Sequence, residues 1–100
     1  MKEMKQENFN ALVASGNTLI LCFYKDNHAM STITLDSLKK VDAMHGKEFE
    51  IYIINADKEP EMIEACLVNT IPTTLSIVNT KIHKKEEGIL FSNQILDLIK

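Results

Sequence analysis

The 100-residue sequence predicts an α/β fold, with a mixed four- to five-stranded sheet flanked by helices on both faces. Two observations carry this. Apolar runs of β-type length alternate with helical patterns along the first half, which makes parallel strand–helix–strand units. A late pair of strands joined at Asn79-Thr80 then adds an antiparallel hairpin at one side of the sheet.

The elements follow in order. Asn8 to Ser15 predicts a short helix, with Phe9, Leu12 and Val13 on one face and Ser15-Gly16-Asn17 as its stop. Thr18 to Tyr24 is a continuous apolar run, as a strand covered on both faces requires. Lys25-Asp26-Asn27 is a polar break. Ser31 to His45 predicts a second helix, with Leu35, Leu38, Val41 and Met44 or His45 as its buried stripe and Gly46 as its end. Glu50 to Asn55 is a second buried strand. Pro60 suits the first turn of a helix running to about Cys66.

Asn69-Thr70-Ile71-Pro72 reads as a loop, and Thr73 to Val78 as a strand. Lys81 to Glu87 is its polar partner at a sheet edge, where charges discourage aggregation. Ser92 is the expected cap of a last helix, with Phe91 and Leu96 placed as a hydrophobic staple. Lys2 to Met4 suits a short additional strand.

Composition narrows the classes of function. Residues 1–100 read as one domain of ordinary globular composition, 45% hydrophobic and 25% charged. A net charge of −3 points away from nucleic acid and from anionic membrane as partners. No apolar run nears the ~20 residues that span a bilayer, and Met1-Lys2-Glu3-Met4-Lys5 does not read as a signal peptide. The expected compartment is the cytoplasm. Cys22 and Cys66 form no disulfide or metal framework, and His45 and His83 suggest no metal site with His28. No cofactor is expected.

The element order, together with a set of short matches, resembles the thioredoxin family over essentially the whole chain. Leu19-Ile20-Leu21-Cys22-Phe23-Tyr24 looks like that family's central strand. Ile71-Pro72-Thr73 looks like its Ile-Pro-Thr, whose proline is cis. Asn55-Ala56-Asp57 with Pro60 fits the segment after the next strand, and Gly88 the glycine after the last. The same register puts Asn27-His28-Ala29-Met30-Ser31 where the family has Trp-Cys-Gly-Pro-Cys.

Dithiol exchange needs a thiolate nucleophile and a second thiol to resolve the mixed disulfide. His28 and Ser31 occupy those two positions, and neither can form a disulfide. The family's buried Asp and the Lys of the neighbouring strand, which move protons, are replaced by Cys22 and Ile53. What the resemblance leaves is docking, in which backbone before the proline pairs with an extended partner segment. The expected surface is Asn27, His28, Ala29, Met30, Ser31, Ile71, Pro72 and Thr73. The expected function is a redox-inactive protein- or peptide-binding module. The alternative is a divergent thiol–disulfide oxidoreductase of the cell redox homeostasis class, working through a partly exposed Cys66. A Ser31–His28 pair oriented by Asp26 would be the third, hydrolytic, use of the same turn.

Overall fold

In the computed structural model, which describes residues 1–100, the chain forms β1 (Lys2–Glu3), α1 (Gln6–Ala14), β2 (Leu19–Tyr24), α2 (Ala29–His45), β3 (Glu50–Asn55), α3 (Pro60–Ala65), β4 (Thr73–Val78), β5 (Lys81–Glu87) and α4 (Ser92–Asp97). The five strands make one sheet in the order β1-β3-β2-β4-β5. β3 is parallel to both β1 and β2, whereas β4 is antiparallel to β2 and to β5.

β2 lies at the centre because its six residues, LILCFY, are all buried. Alternation sends Leu19, Leu21 and Phe23 to one face and Ile20 and Cys22 to the other. On the first face they meet Met62 and Cys66 of the α3 region, with Phe9, Leu12 and Val13 of α1 packed against them. On the second face they meet Leu38 and Val41 of α2, and Ile95 and Leu98 from the α4 segment. Each wholly buried Leu or Ile here contributes about 1.5–3 kcal/mol of transfer free energy. No helix is long and apolar enough to cross a membrane.

The helices differ from the sequence expectation in several details, beginning with α1, which spans Gln6–Ala14 rather than Asn8 to Ser15. α2 begins at Ala29 rather than Ser31, because the His28 ring accepts a hydrogen bond from the Ser31 N–H and so caps the helix. Its buried face is made of Ser31, Thr34, Ser37, Leu38 and Val41, while Leu35 is half-buried and Met44 is 80% exposed. Lastly, Ser92 is the first residue of α4, not its cap; Phe91 holds that position, and its N–H donates to Gln94 Oε1 at 2.9 Å. The staple positions therefore fall on Leu90 and Ile95, both buried in one cluster, and Phe91 is left 61% exposed.

Candidate functional site

Strands β2 and β4 run in opposite directions with Phe23 paired to Thr73. The turn after β2 and the loop before β4 therefore share one end of the sheet. This is where all eight expected site residues fall.

The turn is organised by hydrogen bonds. Asn27 adopts φ 52, a left-handed conformation that Asn tolerates better than most residues. It delivers His28 to the N-cap of α2. His28 Nδ1 accepts the Ser31 N–H at 3.2 Å and lies 2.8 Å from Ser31 Oγ. A backbone N–H can only donate, so Nδ1 is the acceptor of this cap. The Ser31 hydroxyl is hydrogen-bonded to that same nitrogen and accepts the Lys25 N–H at 3.1 Å. Ser31 is itself wholly buried.

This arrangement is a cap, not a hydrolytic pair. The hydroxyl faces inward, where no substrate carbonyl can approach it. The acid is also missing: Asp26 Oδ2 accepts from Asn55 Nδ2 at 3.2 Å rather than from His28. Asn55, 4% exposed, holds the next turn as well, its Oδ1 accepting the N–H groups of Asp57 at 3.0 Å and Lys58 at 3.3 Å. Tyr24, at the end of β2, donates to Glu3 Oε1 at 2.6 Å. Burial, reinforced by the Glu3 carboxylate, pushes the Tyr24 phenol up to about 12.

The loop before β4 is built differently. The Ile71–Pro72 peptide bond is cis. Thr73 Oγ1 donates to the Thr70 carbonyl at 2.7 Å, and Thr70 Oγ1 donates to Glu87 Oε2 at 3.0 Å. The Gly88 N–H donates to the Pro72 carbonyl at 2.8 Å; Gly88 has φ 87, which a residue with a Cβ rarely adopts. Between these anchors, neither the N–H nor the carbonyl of Ile71 has a partner within the chain. Beside Ile71 lies a groove of about 270 Å³, with Ala56, Pro60, Ile63 and Val68 as apolar lining and Lys25 and Asp57 among its polar residues.

The expected surface is thus partly corrected. Asn27, Ala29 and Met30 are exposed, and His28 and Ile71 are half-buried. Ser31, Pro72 and Thr73 are buried and support the surface from below. Sequence reasoning missed the groove and the latching roles of Asn55 and Thr70. An Asn closing a strand and a Thr three residues before another Thr were the available signals, since both types bond nearby backbone in turns.

The cysteines stand apart from this end. Cys22 is wholly buried on β2, and burial pushes its thiol up to about 11, with the facing Thr74 hydroxyl acting the other way. Cys66, expected to be partly exposed, is 1% exposed at the end of α3. Burial raises its thiol too, and the Lys85 charge only partly opposes this.

No family model matches the chain, and no curated protein does. Solved structures do. Chloroplastic thioredoxin z is similar at TM-score 0.87 and 19% identity, over 99% of this chain and 90% of that one. A chain from a structural study of thiol resolving in yeast mitochondrial 1-Cys peroxiredoxin via glutathione/thioredoxin systems is similar at TM-score 0.86 and 17% identity, over 99% and 92%. These likenesses define the class: the chain has the thioredoxin fold, α/β with a mixed five-stranded sheet.

Proposed function

We propose that this chain is a redox-inactive thioredoxin-like binding module that acts as one domain in the cytoplasm and takes up an extended segment of a partner protein. The observation that carries the reading is the pairing of an open Ile71 backbone with a turn that has no thiol. The Ile71 N–H and carbonyl are free for an added strand, while His28 and Ser31 are engaged with each other. A partner segment pairing with Ile71 would place one side chain over the groove beside Ile63 and Val68, and others near Met30, whose thioether is a soft apolar contact.

The oxidoreductase alternative is less well supported. Cys66 is buried with a raised thiol pKa, so it is a poor nucleophile where it stands. The test is a peptide-display selection on the native protein, followed by titration of a selected peptide against Ile71→Pro and Met30→Glu. Ile71→Pro removes the pairing N–H and is expected to weaken binding about tenfold or more, with Met30→Glu weaker in effect. Full affinity in both variants would overturn the assignment of this site.

A further inference from the structure

We propose that β5 is a self-association edge: a second copy of this chain pairs with it antiparallel about Lys85, the Lys84 of each copy against the Glu86 of the other. β5 is the longer of the two sheet edges, seven residues against two for β1, and every one of its residues is exposed. Its unused backbone groups can be located. The Gly88 N–H reaches Pro72 O at 2.8 Å and the Lys84 N–H reaches Ser76 Oγ at 3.2 Å, so the peptide groups of residues 84, 86 and 88 turn toward β4. The period of two then turns those of Lys85 and Glu87 outward.

An inverted copy can meet these outward groups in two registers. Centred on Glu86, each Lys85 faces a Glu87, but the two Glu86 carboxylates are set against each other. Centred on Lys85, each Lys84 faces a Glu86. Only the second register opposes charges without setting carboxylate against carboxylate, so it is the favoured one, each Lys84 exchanging its own Asp97 carbonyl, at 3.2 Å, for the facing carboxylate. In the second register the paired Lys85 side chains do not confront one another. Each ammonium is turned back onto its own chain, 2.9 Å from the Leu67 carbonyl and 3.4 Å from that of Cys66. A parallel copy in matching register would set Lys beside Lys and Glu beside Glu, so the charges also select the direction.

An edge carrying one sign of charge repels every copy of itself. An edge split into two lysines and two glutamates repels apolar strands but complements its own inversion. The register irregularity opposite Ser76 and Ile77 confines regular pairing to the residues beyond His83. The contact is therefore short, and the dimer weak and salt-sensitive. The surface is separate from the Ile71 loop and stands whether or not that loop binds a segment.

Sedimentation of the full chain across a concentration series tests this. In low salt a monomer–dimer equilibrium is expected, with the dissociation constant rising about tenfold in high salt. Lys84→Glu/Lys85→Glu and Glu86→Lys/Glu87→Lys should each be monomeric alone, and their mixture should form a heterodimer. Circular dichroism checks that each variant is folded, and Lys84→Gln/Lys85→Gln makes the comparison where charge reversal disturbs the hairpin. A wild-type monomer at about 1 mM, a dimer persisting in either reversed variant, or a mixture that does not associate would each overturn the proposal.

Discussion

The turn at His28–Ser31 and the loop at Thr70–Thr73 lie at the same end of the sheet and differ in what they leave open. In the turn, every polar side-chain contact closes inward: ring to hydroxyl, hydroxyl to Lys25 N–H, ring to Ser31 N–H. In the loop, Thr73 and Thr70 fix the ends while the backbone of Ile71 stays unpaired. One region is a helix cap; the other is an open strand edge. On the proposed reading, binding can stand without thiol chemistry because the two depend on different atoms. Thiol exchange needs side-chain sulfur, whereas strand addition needs only main chain.

The largest expected effect bears on whether any sulfur chemistry survives. Both thiols are buried, so reaction with an aromatic disulfide reagent must await local opening. Native-state modification of Cys22 and Cys66 is expected to be at least about a hundredfold slower than in strong denaturant. Rapid labelling of Cys66 in the native protein would reopen the alternative set aside above.

Alkaline titration is the next break point. Cys22 moves from 9.0 in the free thiol to about 11, and Tyr24 from 10.0 to about 12. Between these values the unfolded chain has lost protons that the folded chain keeps, so stability falls as pH rises. It is intact below about pH 9 and declines through about pH 12. Denaturation midpoints measured across that window should drop, and Cys22→Ala should lessen the lower part of the decline, Cys66 supplying the remainder. A flat profile would contradict the burial of both groups.

Two substitutions then compare turn and loop directly. Ser31→Ala deprives the Lys25 N–H and the His28 ring of their shared partner, and Thr73→Val deprives the Thr70 carbonyl of its own. Each should cost about 1–3 kcal/mol in urea unfolding. Ser31→Ala is expected to leave segment binding unchanged, and Thr73→Val to weaken it by loosening the loop. His28→Ala is the mildest, about 1 kcal/mol for a lost cap, since the helix retains its packing. A loss of binding with Ser31→Ala as large as with Thr73→Val would erase the distinction between the two regions.

Much of this was legible beforehand, for identifiable reasons. The bounds of β3, β4 and β5 follow from apolar or polar runs cut by turn residues, and the structure places them at Glu50–Asn55, Thr73–Val78 and Lys81–Glu87. Helix ends were harder. A histidine cap is not among the usual Ser, Thr, Asp and Asn signals, so α2 starts two residues before its expected Ser31. Counting apolar residues also put Met44 or His45 in the buried stripe of α2 and passed over Ser31, Thr34 and Ser37, because apolar periodicity does not register small hydroxyl side chains that are buried with their oxygens bonded. At α4 the staple falls one residue earlier than the expected Phe91 and Leu96, and the Thr34 hydroxyl, 3.2 Å from the Leu90 N–H, helps hold Leu90 inward. The groove was beyond reach, since residues from three separated stretches of chain line it.

The most direct test of a thioredoxin fold without thioredoxin chemistry is a disulfide-reduction assay on insulin, comparing the protein with its Cys22→Ala/Cys66→Ala variant. Equal rates, no faster than the uncatalysed reaction with the chemical reductant alone, are expected. A wild-type rate well above that of the cysteine-free variant would contradict the account.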